Sequence, residues 1–158
     1  MLTLFAILIA LLLLVSIIDG APYLPTRRNQ VEQALALAEL KKGDTIIDLG
    51  SGDGAVLIVA ARQGIHAIGY EINPLLWLIS IIRTLRYSRL VSIKLVSFWD
   101  VKLPKTDAVF VFLLSKYMPR LDTKLKKELP KGTKVVSYAY KIKPKHITQN
   151  NGLFLYIY

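Results

Sequence analysis

A chain of 158 residues has room for one domain with a buried core, and its 53% hydrophobic content is more than such a core needs. The absence of cysteine excludes disulfides, thiol catalysis and cysteine-ligated zinc. Twenty-one Lys and Arg against eleven Asp and Glu give a net charge of +10, which favours anionic partners: nucleic acid, acidic proteins or anionic lipid.

The excess apolar content lies at the start. Residues 2–18 carry no charge, and 13 of them are Leu, Ile, Phe or Val, worth roughly −4 to −8 kcal/mol on membrane-insertion scales. Seventeen helical residues span roughly 26 Å, enough for a slightly thinned bilayer. A cleaved signal peptide fits less well, because no Lys or Arg precedes the run and Ser16-Ile17-Ile18-Asp19-Gly20-Ala21-Pro22 is a poor cleavage site. Residues 1–20 are therefore expected to be a single-span transmembrane anchor, 21–29 a short linker stiffened by Pro22 and Pro25, and 30–158 the functional domain. Arg27 and Arg28 are the first cations after the span, so the domain is expected on the cytoplasmic side or its organellar (matrix) equivalent. Asp19 is the only charge in the anchor region, which leaves +11 on the rest; beside a bilayer, anionic lipid is the economical partner for it.

Val31, Leu35 and Ala38 mark a first helix that ends by the Lys41-Lys42-Gly43-Asp44 turn. Strands are expected at 45–49, 66–71, 91–96, 107–113 and 133–140, alternating with helices at 54–63, 74–87 and 118–129. Residues 153–158 read as a last, antiparallel strand. This alternation predicts an α/β fold with a doubly wound, mostly parallel sheet. The helix capped by Asn73 and started by Pro74 is apolar nearly all round from Leu75 to Ile82. One face can pack on the sheet; the other needs cover, from the first helix or the carboxyl-terminal tail, or else from lipid or the anchor.

The chemistry concentrates at Asp48-Leu49-Gly50-Ser51-Gly52-Asp53-Gly54, between the strand Thr45-Ile46-Ile47 and the helix that follows. A strand that breaks into a glycine turn brings bare N–H groups against a nucleotide-like ligand. Gly50, Gly52 and Ala55 loosely satisfy G-x-G-x-x-G/A, but Asp48 and Asp53 place anions where a pyrophosphate would sit. A ligand with an amino group and a sulfonium suits them better, and S-adenosylmethionine is such a ligand. Glu71 ends the second strand about 20 residues later, where ribose hydroxyls are held in both cofactor classes.

The DLGSGDG motif and Glu71 resemble those of class I (seven-strand, Rossmann-like) S-adenosylmethionine-dependent methyltransferases, and the similarity runs from Tyr23 to about Tyr140. YLPT, VEQALALAEL, GYEINP and the segment from Val111 to Tyr140 are further similar to the small membrane-tethered protein-lysine methyltransferases that act on the adenine nucleotide translocase and the c-ring protein of the ATP synthase. The resemblance implies a cofactor set of Tyr23 and Thr26 at the amino-acid end, Asp48, Gly50, Ser51, Gly52 and Asp53 in the turn, Glu71 and Asn73 beyond the second strand, and Ser97, Phe98 and Trp99 around adenine. Ser97 stands where many family members carry an acid, so either Ser97 or, with a shifted register, Asp100 would meet the adenine amino group. No NPPY-like amide-nitrogen signature follows the fourth strand, where Ser115 replaces the usual proline, which disfavours base or glutamine-amide methylation. His66 and His146 have no metal-ligand partner at suitable spacing, so no metal is expected.

The expected activity is methylation of a lysine in a membrane protein. The alternatives are a lipid, quinone or other small membrane-borne acceptor, or a non-catalytic cofactor-binding role within a membrane assembly; nucleic acid is disfavoured for want of an aromatic-basic module. No general base is evident, and Tyr138 and Tyr140 are the weak candidates for orienting the amine.

Overall fold

Apolar residues facing alternate sides of each strand build two cores at once. The computed structural model describes residues 26–143 and 147–158. In chain order the elements are helix α1 (Arg28–Leu37), strand β1 (Thr45–Leu49), α2 (Ala55–Arg62), β2 (His66–Glu71), α3 (Pro74–Thr84), β3 (Val91–Leu95), β4 (Ala108–Val111), α4 (Met118–Glu128), β5 (Lys134–Tyr138), β6 (Thr148–Asn150) and β7 (Leu153–Ile157), with 3₁₀ turns at Leu85–Tyr87 and Ser115–Tyr117. One seven-stranded sheet runs β3-β2-β1-β4-β5-β7-β6. The first five strands in that order pair in parallel, and β7 lies antiparallel to both β5 and β6.

Ile46, Ala108, Phe110, Val136 and Leu155 point to one face, where Val31 and Leu35 of α1 and Leu57 and Ala60 of α2 cover them. Their neighbours Ile47, Val109, Val111, Val135 and Tyr156 point to the other, against Met118, Leu121 and Leu125 of α4. Strands covered on both faces read as continuous apolar runs, which is why the sequence located them. The strand order reverses between β1 and β4, the position where α/β sheets open a crevice at the strands' carboxyl ends.

Three expectations need correction. The strand expected at 133–140 stops at Tyr138, because Ala139 turns the chain with φ +65°. Residues 148–150 form β6, which was not expected; Asn151 (φ +46°) and Gly152 (φ +79°) supply the two left-handed positions of a tight hairpin into β7. The apolar helix α3 is covered by neither α1 nor the carboxyl-terminal tail. Its buried positions are the small polar residues Ser80 and Thr84, while Leu78 and Ile82 remain 48% and 60% exposed. The antiparallel last strand is present as β7. The expected anchor at 1–20, and the linker up to Pro25, lie outside the described residues; among those described, no helix is long and apolar enough to cross a membrane.

Leu121 is fully buried between α4 and the sheet, whereas Ile82 faces outward. In urea denaturation Leu121→Ala should cost about 2–5 kcal/mol. Ile82→Ser should stay within about 0.5 kcal/mol of the parent.

Candidate active site

The turn after β1 is folded back onto the end of β2 by its own backbone. The N–H groups of Gly50 and Ser51 both donate to the Tyr70 carbonyl, at 3.0 and 2.9 Å. Gly50 has φ +89°, a conformation that only glycine adopts without strain, and a Cβ there would meet nothing within 4 Å. The turn thus presents an open, side-chain-free cradle at the carboxyl end of β1.

Glu71 fixes this cradle. One carboxylate oxygen accepts the Gly52 N–H at 2.8 Å, and the other accepts the Asn73 N–H at 2.7 Å. Asn73 in turn caps α3 by accepting the N–H groups of Leu75 and Leu76 at 2.8 and 3.1 Å. Each Glu71 oxygen keeps a second lone pair for another donor. The loop after β3 joins the same corner, because the Val96 N–H donates to the Glu71 carbonyl at 3.0 Å.

Asp48 lies beside this pair, buried, with no cation paired to it among the described residues. Burial pushes its carboxyl up to about 8, helped by the nearby charge of Glu71. A buried acid held protonated between strands is poised to ionise when a cation arrives. Asp53 is placed differently: it accepts the Ala55 N–H at 3.2 Å and forms an ion pair with Arg83, so it clamps the start of α2 to α3.

On the side expected for adenine, Ser97 accepts the Trp99 N–H at 3.2 Å and is half-buried, while Asp100 is exposed. Phe98 is buried with its ring 4.5 Å from that of Trp99, and the Arg120 guanidinium lies 4.2 Å over the Trp99 ring. Thr26 is half-buried just ahead of α1, and Tyr23 lies outside the described residues. Tyr138 and Tyr140 are not brought together. The turn at Ala139 leaves Tyr138 on the α1 face, hydrogen-bonded to Gln30 and 4.7 Å from the Phe112 ring, and sends Tyr140 to the α4 face. His66 is exposed and His146 lies outside the described residues.

The sequence reading missed Gly69, paired with Asp48 in the β1–β2 register. A Cβ on Gly69 would sit 2.6 Å from the Ser51 hydroxyl oxygen and 2.8 Å from a Leu57 methyl carbon, so the turn can approach the sheet only because this residue is glycine. A glycine inside a strand is the signal that pointed to it. Arg120 over Trp99 and Gln30 on Tyr138 had no sequence signal, since folding alone brings them together.

This sheet order, with the glycine turn and the acid pair at the carboxyl ends of β1 and β2, defines the class I methyltransferase fold. The ANTKMT methyltransferase domain model matches residues 48–149, and the chain belongs to that family. It is 32% identical over 155 residues to a protein-lysine N-methyltransferase of Saccharolobus islandicus (strain REY15A), covering 90% of this chain and 96% of that one. It is 37% identical over 121 residues to the adenine nucleotide translocase lysine N-methyltransferase of Mus musculus, a match over 73% of this chain and 52% of the relative. The chain thus spans about half the length of the mouse relatives it matches. Among solved structures, an RNA methyltransferase from Salinibacter ruber in complex with S-adenosyl-L-homocysteine superposes with a TM-score of 0.77 at 26% identity, covering 85% of this chain and 92% of that one.

Two variants test the site's construction. Gly69→Val should displace Ser51 and lower cofactor affinity at least about tenfold, roughly 1.4 kcal/mol, in calorimetry; an affinity equal to the parent's would show that the turn does not need this approach. For Asp48, the unfolded chain releases its proton near pH 3.9 and the folded one at about 8, so between these values the folded state holds more protons and stability falls as pH rises. Asp48→Asn should therefore raise the melting temperature of the ligand-free protein, with a larger gain at pH 8 than at pH 5.

Proposed function

We propose that the chain is an S-adenosylmethionine-dependent protein-lysine N-methyltransferase that acts on a lysine of an integral membrane protein, and that residues 2–18 hold it at the bilayer. The observation that carries the reading is the buried pair Asp48 and Glu71 beside an open glycine cradle, in a chain of this family. The protein-lysine N-methyltransferase of Saccharolobus supports the lysine, because the likeness extends over nearly the whole of both chains. The adenine nucleotide translocase enzyme of Mus musculus supports a membrane-protein acceptor.

The residues fit the cofactor. Gly50 leaves room where a side chain would stand, the Ser51 hydroxyl is buried without a hydrogen-bond partner, and Asp48 has no cation paired to it among the described residues. Asp48 would take the cofactor's amino group as its counter-ion, and Glu71 would accept the ribose hydroxyls with its remaining lone pairs. Gly52 and Asn73 set the direction of that carboxylate, and Asp53 keeps α2 in register behind the turn. Ser97, Phe98 and Trp99 would border adenine, and Tyr23 and Thr26 would close the amino-acid end. When bound, S-adenosylmethionine supplies an electrophilic methyl carbon on a sulfonium that leaves as a neutral thioether.

A lysine attacks only as the free amine. Losing its proton at pH 7 costs about 4.6 kcal/mol from a pKa near 10.4. Desolvation of the incoming ammonium is the device this reading rests on, because it disfavours the charged form. A lysine presented at the edge of a bilayer arrives partly desolvated.

The full chain, incubated with methyl-labelled cofactor and membranes from its own cells, should put label into protein, recovered as methyl-lysine after hydrolysis. Label in lipid, quinone or RNA instead, or in nothing at all, would overturn the lysine reading.

A further inference from the structure

Helix α3 and the 3₁₀ turn that continues it carry an apolar stripe that the fold does not use. Leu78, Ile82 and Leu85 follow one another at spacings of four and three, which stacks them on one side of the helix. They are 48%, 60% and 62% exposed. The side of α3 that packs inward is a different one: Ser80 and Thr84 are buried, and the Trp77 indole N–H donates to the Ile93 carbonyl at 3.3 Å. Large aliphatic side chains grouped in water mark a surface with a partner.

Charge identifies the partner. Between Glu71 and Asp100 the chain contains no acid and four cations, Arg83, Arg86, Arg89 and Lys94. Arg83 is held by Asp53 and Lys94 lies 5.6 Å from the Tyr70 ring on the other face of the sheet, while Arg86 and Arg89 are exposed on the segment that continues α3, with Arg86 4.8 Å over the Tyr87 ring. An aliphatic stripe continued by exposed arginines matches the boundary of an anionic bilayer, with hydrocarbon below and phosphate above. Eleven helical residues extend about 17 Å, too short to span, so such a helix lies in the plane of the interface. The uncharged run 2–18 ends nine residues before α1, a reach of at most about 30 Å. That last point rests on the anchoring proposed above; the stripe and its cations do not.

We propose that α3 and the turn after it form a membrane-docking surface for anionic lipid, with Leu78, Ile82 and Leu85 entering the headgroup boundary and Arg86 and Arg89 meeting lipid phosphates. Because the Asn73 cap of α3 is bonded to Glu71, the docked helix begins at the cofactor turn. Docking then sets the mouth of the site against the bilayer, where the lysine of an embedded substrate emerges.

The natural absence of cysteine permits a direct test. The full chain carrying Ile82→Cys or, as a control in the exposed turn before β5, Lys131→Cys is labelled with an environment-sensitive dye and bound to phosphatidylcholine–phosphatidylglycerol vesicles. Each variant is first checked for parent-like circular dichroism. The dye at 82 should shift to the blue and be quenched several-fold more by nitroxide-bearing lipid than the dye at 131, and Arg86→Gln with Arg89→Gln should weaken that quenching. A dye at 82 that stays in water overturns the proposal. So does one shielded from water but not quenched by lipid, which would place residues 2–18 or a second copy on the stripe. Equal quenching in pure phosphatidylcholine would overturn the anionic-lipid assignment. The readout is independent of methylation, so failure here and failure of the lysine reading are distinguishable.

Discussion

The Glu71 carboxylate ties together two chain segments at the carboxyl ends of β1 and β2. It takes one backbone N–H from the turn after β1 and one from the turn after β2, at 2.8 and 2.7 Å. Hydrogen bonds to an ionised acceptor in a buried place are the strong ones, and leaving either donor unmet would cost about 1–3 kcal/mol. The direction of the cradle at Gly52 and the placing of the Asn73 cap of α3 follow from this side chain, while the Glu71 backbone carbonyl holds the loop after β3 through the Val96 N–H. The geometry of the cradle is therefore set by hydrogen bonds within the protein itself.

The cost of that preorganisation falls on Asp48. Burial pushes the Asp48 carboxyl up, and the nearby Glu71 carboxylate adds to this. A cationic ligand relieves this tension in a way that a phosphate cannot. The preference for an amino-bearing nucleoside over a dinucleotide thus has an electrostatic origin, while the glycine turn by itself is common to both.

Economy marks the rest of the molecule. β5 passes to β6 through residues 139–147, with no helix among those described, and a two-residue turn closes the β6–β7 hairpin. This leaves little chain with which to build a lobe around a substrate. Under the proposed function, a bilayer that confines enzyme and substrate to one plane would supply orientation that such a lobe otherwise would. The uncovered leucines of α3 are consistent with that division of labour.

The sequence by itself determined the parallel core, the glycine turn and the acid that follows it. Strands buried on both faces are apolar nearly throughout, and the left-handed residues of the turn after β1 are the glycines Gly50, Gly52 and Gly54, so both leave local marks. It also held the marks of Asn151-Gly152 and of Gly69, which went unread as a hairpin and as a close approach. Only the tertiary structure decided the rest. That Asp53 belongs to Arg83, that Arg120 lies over Trp99, and that Tyr138 and Tyr140 part to opposite faces depend on contacts between distant segments or on one backbone angle at Ala139. Likewise an all-round apolar helix looks the same in sequence whichever side it buries. Packing against Gly54 selected Ser80 as the inward residue and left Leu78, Ile82 and Leu85 outside.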